Sequence, residues 1–430
     1  MELQKLIIET LKKEVVPAVG CTEPVAVALA CAKAKEMTAE EIKEVHILVS
    51  PNIYKNGLGV GIPNTNEVGL YIAAALGVVG GKSEKKLEVL QDITPIHVKK
   101  SKDLIANKRI FIGIKDTKEK IYIEALVKTN TDSIKVIIER KHDRIVYISK
   151  NEQIILDEIK KYENHKDEDI ALYDLKVLDL IEEIEKIPYE KLSFLLEGLY
   201  MNEKVALEGL KKKVGMGVGM SLYENIQKGI LSDDLMNQAM MLTAAASDVR
   251  MSGENMSVMS SNGSGNNGLT AILPIVAYKN KFSVKEEDLV KALAISHIIN
   301  SYIKFYIGRL SALCGCGVAA ATGASVAIVW LMGGNKKQID GTIQNMLGNI
   351  SGMICDGAKV GCALKLSTAA STAIQSALLA LNGHVIPNQN GIIGKSAEDT
   401  IKNLGKLSIE GMENMDQVIL KVMKSMQCIA

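Results

Sequence analysis

The sequence predicts an α+β protein: a large, mostly helical body plus a smaller α+β module with an antiparallel sheet. Three observations predict it. β-Branched runs of period-two character crowd into residues 41–150. The residues before and after that span carry helical patterns. Aromatic residues make up only 4% of the 430 residues, while Ala, Gly, Ile and Met are plentiful, a composition suited to helices that cross closely over small side chains.

Taken in order, residues 1–40 read as two helices broken at "VGCTEP" and assigned to the helical body. Residues 41–150 form the module. "EIKEVHILVS" is its first strand, and "RIFIGIKD", "KIYIEALVK", "DSIKVIIER" and "RIVYIS" are spaced for an antiparallel meander. Helical patterns near 66–80, 84–92 and 97–106 separate the first strand from the rest. Residues 151–430 are helical in pattern almost throughout, as in "DLKVLDLIEEIEKI" and "KEEDLVKALAISHIINSYIKFYIGRL". A chain of this length has material for about two or three domains.

Several function classes are excluded early. A net charge of +1 gives no electrostatic footprint for nucleic acid or an anionic membrane. The uncharged tract from Leu310 to Asn335 is long enough to span a bilayer, but its Gly, Ala, Ser and Cys content reads as a buried core helix. The N-terminus lacks the basic start and small-residue cleavage site of a secretion signal, so a cytoplasmic protein is expected. Its seven cysteines are then thiols or metal ligands rather than a disulfide framework. "LGVVGGKS" is one residue short of a phosphate loop, and "GMGVGM" lacks both the spacing and the preceding strand of a dinucleotide fingerprint. The six histidines are scattered, with no pair at metal-ligand spacing.

The cysteines remain. Cys21 in "GCTEPVAVALA" precedes a helix opened by Pro24, Cys314 in "ALCGCG" stands between helical runs, and Cys355 in "ICDGAKVGCALK" precedes the potential cap Asp356. Each thiol is thereby expected at the positive end of a helix dipole, where thiolate is favoured. Such thiols suit either a soft-metal site or simple packing among small residues. Cys31, Cys362 and Cys428 read as packing residues. Cys362 is placed two turns inside a helix covering 356–365, about 10 Å along the axis from Cys355. "SPNIYKNGLGVGIP" and "MSSNGSGNNG" are polar glycine loops able to present amides to an anion.

Six motifs, "GCTEP", "SPNIYKNGLGV", "AASDVRM", "SNGSGNNG", "RLSALCGC" and "GMICDGAKVGCALK", occur in the order seen in the iron–sulfur L-cysteine desulfidases. The chain resembles that family, which is related to the α chain of iron–sulfur L-serine dehydratases. The resemblance implies a 4Fe–4S cluster held by Cys21, Cys314 and Cys355, with one iron left open, and Cys316 as an extra thiol beside it. It implies a lyase converting L-cysteine to hydrogen sulfide, ammonia and pyruvate. The expected carboxylate contacts are Asn56, Ser261, Asn262 and Asn267, joined by Lys55. Candidate bases are Lys365, which is favoured, Lys359, Lys55 and His297. L-Serine as substrate and a non-catalytic iron–sulfur sensor are the alternatives. A small amino acid is the expected partner, with no nucleic acid and no membrane; any self-association is expected to give a homodimer.

Overall fold

A computed structural model describes residues 2–159 and 170–427. The period-two runs form one six-stranded sheet, in the order Ile110–Ile114, Glu44–Val49, Tyr122–Lys128, Ser133–Glu139, Ile145–Lys150 and Gln153–Asp157. Alternate residues of Glu44–Val49 and Tyr122–Lys128 are buried, so one face is apolar and must be covered. The helices Thr22–Lys35 and Leu70–Gly80 cover it, and Leu29, Ile47, Leu76, Ile123 and Val136 meet in that core. Burying each large side chain stabilises the fold by about 1.5–3 kcal/mol. The two covering helices touch at Gly77, where an added Cβ would lie 2.4 Å from the Ala28 carbonyl oxygen.

Two expectations change here. The segment 109–116 does not join an antiparallel meander: Ile110–Ile114 runs parallel to Glu44–Val49, which separates it from Tyr122–Lys128. The helices Leu70–Gly80 and Pro95–Ala106 supply the long crossover that parallel pairing requires. The helix Thr22–Lys35, assigned by the sequence to the body, packs on the sheet, because its small buried face is apolar almost all round. The helix Glu2–Glu14 does join the body, through Ile7 and Leu11.

The body is built around the helices Leu235–Met251, Gly265–Lys281, Glu286–Ile307, Ala321–Leu331, Lys336–Ile350 and Cys362–Leu381. Nine residues of Ala321–Leu331 are buried, as the core reading of that uncharged tract requires. Among the described residues no helix is long and apolar enough to cross a membrane. The "GMGVGM" loop already has its anion: the Asp248 carboxylate accepts from the main-chain amides of Met216 (3.2 Å) and Gly219 (3.0 Å).

Short bridges tie the two parts together and draw the motifs inward. Pro17–Val19 pairs antiparallel with Ser257–Met259, which sets Gly20 and Cys21 beside the Ser/Asn/Gly loop. Leu313 bridges Ile354, and Gly59 bridges Lys359.

Candidate functional site

The six motifs surround one cavity of about 90 Å³. Its wall includes Cys21 and Glu23 from the first motif, Asn52, Lys55 and Asn56 from the second, and Arg250 from the third. The fourth supplies Asn262, Asn266 and Asn267, and the last two supply Cys314, Cys316, Cys355 and Cys362. His142 and Lys304 join the wall from outside every motif.

Local geometry explains each thiol. Cys21 is the N-cap of Thr22–Lys35, with extended backbone. Its thiol donates to Glu23 Oε2 (2.9 Å), and burial first, then the Glu23 charge, pushes the thiol up. Cys314 immediately precedes the helical turn that starts at Gly315; its carbonyl accepts from Val318 N (2.8 Å). Its amide donates to Met353 O (2.8 Å), and the Cys355 amide donates to Ala312 O (2.7 Å), so these two thiols sit on adjoining extended segments. A hydrogen bond from Cys316 holds Cys314 low against burial, whereas Cys316 is pushed up. Of the pair, Cys314 therefore has the thiolate character a metal ligand needs.

The expected helix over 356–365 is not present. The chain is irregular from 355 to 361, and the helix begins at Cys362. Asp356 does not act as a cap, since its carboxylate is engaged by Lys359 and Lys365. Gly357 has φ +98°, and an added Cβ would lie 2.5 Å from the Lys55 carbonyl oxygen, so glycine is needed at this turn. Cys362 is thus the first residue of its helix, packed beside Cys21, Val60 and Met251. The helical rise expected to set it apart from Cys355 is therefore absent.

Five of the seven cysteines line the cavity. Among the described residues no group of three His, Cys, Asp or Glu side chains is arranged to hold a single metal ion. The five thiols share one cavity wall, and cysteine sulfur is the usual ligand of iron–sulfur clusters. Cations surround them. Lys304 is buried and pulled down to about 8 by that burial, and Lys55 is 1% exposed.

The polar lining is unusually unsatisfied. Among the described residues twelve buried side-chain atoms lack a hydrogen-bond partner, and six belong to this wall: Asn56 Oδ1, His142 Nε2, Arg250 Nε, Asn266 Oδ1, Asn267 Oδ1 and Arg309 Nε. Such groups cost about 1–3 kcal/mol each when left unpaired, which marks a surface built for a polar ligand. Both guanidiniums lie under the Ser/Asn/Gly loop, against Gly265 and Gly263.

The match of the serine dehydratase alpha chain family covers residues 84–421. The chain belongs to that family. Its type is an iron–sulfur-dependent lyase of the dehydratase class. The chain is also 62% identical over 428 residues to a UPF0597 protein of Alkaliphilus oremlandii, covering 99% of this chain and all of the relative. A UPF0597 protein of Clostridioides difficile is 54% identical, covering 97% of this chain and 99% of its own length. The match to the serine dehydratase family begins after the first two motifs, so Cys21, Glu23 and Asn56 rest on geometry alone.

Of the expected site residues, Cys21, Cys314, Cys355, Lys55, Asn56, Asn262 and Asn267 line the cavity. Ser261, His297 and Lys365 do not. Ser261 stands behind the wall, its hydroxyl engaged by His297 Nδ1 (3.0 Å) and Asn300 Nδ2 (2.9 Å). Burial pulls His297 down to about 3, so it is a neutral core partner of Ser261. Lys365 donates to Ile354 O (2.9 Å) and pairs with Asp356; the ion pair outweighs burial and raises it, the opposite of what a base needs. Asn56 Nδ2 gives one of its two hydrogens to Glu23 Oε1 (2.8 Å), and its Oδ1 is a free acceptor. Sequence reasoning missed Glu23, His142, Arg250, Lys304 and Arg309. For Glu23, Arg250 and Arg309 a signal existed, since all three lie inside the quoted motifs.

Proposed function

We propose that the protein is an L-cysteine desulfidase, a PLP-independent carbon–sulfur lyase that converts L-cysteine to hydrogen sulfide, ammonia and pyruvate. One observation carries this reading: five thiols line a single cavity whose polar wall is left unpaired. Cys21, Cys314 and Cys355 would hold a 4Fe–4S cluster, with Cys362 a fourth thiol on the same wall. Bound there, the cluster supplies Lewis acidity to the leaving sulfur of the substrate.

The chain's own residues supply the rest. The free carbonyl oxygens of Asn56, Asn266 and Asn267 are acceptors matched to a substrate ammonium. The guanidinium of Arg250, whose only side-chain bond among the described residues goes to the Gly20 carbonyl (2.8 Å), brings positive charge for a carboxylate, whereas Arg309 is paired with Glu14 (2.9 Å). The sequence had placed Asn56 and Asn267 on the carboxylate; their free oxygens add an ammonium contact to that expectation. Burial of the wall excludes water from the reactive aminoacrylate until it is released.

A second reading is L-serine dehydratase, favoured by the name of the matched family. Soft sulfur matches a soft thiolate-bound iron better than hydroxide does, which supports cysteine. Anaerobically reconstituted protein is tested with each amino acid. Sulfide and pyruvate in equal amounts from L-cysteine, at a kcat/KM well above that for L-serine, support the desulfidase. Pyruvate from L-serine alone supports the dehydratase.

A further inference from the structure

We propose that His142 is the catalytic base of this lyase, an inference that rests on the proposed reaction. Its Nε2 takes the α-proton of the substrate. The Cα–H electron pair becomes the Cα=Cβ bond, and the Cβ–S pair leaves with hydrosulfide. The 2-aminoacrylate then regains a proton at Cβ and is hydrolysed by water to pyruvate and ammonia. No electron is gained or lost overall.

The geometry points to His142 by position and by contrast. It lies at the tip of the hairpin between Ser133–Glu139 and Ile145–Lys150, in the charged run "ERKHDR". Such a histidine should be solvated, yet it is only 5% exposed and lines the cavity. The tip is pinned: Arg140, at φ +68°, donates its amide to Ile121 O (3.0 Å), and the Arg144 amide donates to Lys141 O (3.2 Å). His142 Nε2 is buried with no hydrogen-bond partner, so the Nδ1–H tautomer leaves its lone pair free to take a proton.

The other candidates are all engaged. Lys55 donates to Cys355 O (2.8 Å) and Asp416 Oδ1 (2.5 Å), Lys359 and Lys365 pair with Asp356, and His297 serves Ser261. Lys304 donates to the Arg309 carbonyl and lies against Gly315, which makes it a counter-charge to the thiols. The charges acting on His142 are Glu23, Arg309, Asp143 and Lys304. Burial first lowers the imidazole and Glu23 opposes it, leaving the ring neutral, as a base must be. Glu23 is itself held in place by Thr22, Cys21 and Asn56, so it can steady the imidazolium formed in the step.

The experiment uses reconstituted wild type, His142→Gln and His142→Ala. Expected are a fall in kcat of about a hundredfold or more, unchanged iron content, and an unchanged effect of L-cysteine on the cluster spectrum. Added imidazole should restore part of the turnover in His142→Ala, and the acidic limb of the kcat/KM profile should vanish in His142→Gln. Turnover of His142→Gln within about fivefold of wild type overturns the proposal, as does loss of iron in both variants, which would make the role structural. If wild type itself releases no pyruvate from L-cysteine or L-serine, the lyase reading fails, a result distinct from either.

Discussion

The helical body and the α+β module meet at one cavity but bring different chemistry to it. The body supplies four thiols, Cys314, Cys316, Cys355 and Cys362, the amides of Asn262, Asn266 and Asn267, and the fixed cations Arg250, Lys304 and Arg309. The module side supplies Cys21, Glu23, Lys55, Asn56 and His142, so four of its five groups carry charges, protons or hydrogen bonds. Of the body's four thiols only Cys314 is held low, by its hydrogen bond with Cys316; that bond pushes Cys316 up, and burial pushes Cys355 and Cys362 up. The proton-handling groups sit on a helix start, a short helix and a pinned hairpin tip, all rigid supports. On the proposed mechanism the body thiols and His142 should be separable by mutation, whereas Cys21, bonded to Glu23, belongs to both.

The largest effect should follow from removing thiols of the body. Cys355→Ala is expected to lose the visible absorbance of the reconstituted protein altogether. Because the helix starts at Cys362, Cys362→Ala is expected to lower iron content as well, against the packing role predicted for it. Iron analysis of both variants checks this; normal iron in Cys355→Ala would break the division of labour.

A smaller effect should come from the strap between the two parts. Asp416, on the C-terminal helix Met415–Gln427, accepts from Lys55 (2.5 Å) and Asn52 (2.6 Å), and Lys55 in turn donates to the Cys355 carbonyl. Asp416→Asn leaves a buried ammonium without its counter-ion, a loss of about 3 kcal/mol in stability. Denaturant unfolding should show it, together with faster bleaching in air as the Cys355 loop loosens. Unchanged bleaching would mean that the loop holds its shape without the module.

The smallest effect lies in the body, away from the cavity. Burial raises Asp340 to about 6, with Glu398 adding to it, and its Oδ1 has no partner. The folded state therefore favours the protonated form. That contribution is fully present below the unfolded value of about 3.9 and is lost as pH rises through about 6. Asp340→Asn should stabilise the protein at pH 7.5 by on the order of 1 kcal/mol after solvent screening, and by about half as much at pH 5. Denaturation midpoints at the two pH values test it, with activity per iron expected to stay constant.

Much of the site was legible because cysteine is rare in this chain and the six motifs are distinctive. The sheet was legible from its alternation, though not the strand Gln153–Asp157 or the parallel pairing of Ile110–Ile114, which depends on a crossover rather than on local pattern. The helix start at Cys362 was hidden because Asp356 looks like a cap until its lysine partners are known. Ser261 looked available because it opens the Ser/Asn/Gly motif and His297 because imidazole is a common base, yet they satisfy each other. His142 was invisible for the opposite reason: its neighbours are charged, and only the docking of the hairpin buries it.

The central claim, that bound iron and sulfide make this cavity a lyase site, is tested most directly by loading. Chelated protein is given iron and sulfide stepwise under anaerobic conditions, and sulfide release from L-cysteine is followed in each sample. The account predicts no product from the chelated protein and turnover rising in proportion to cluster absorbance. Full turnover in the chelated protein would contradict it.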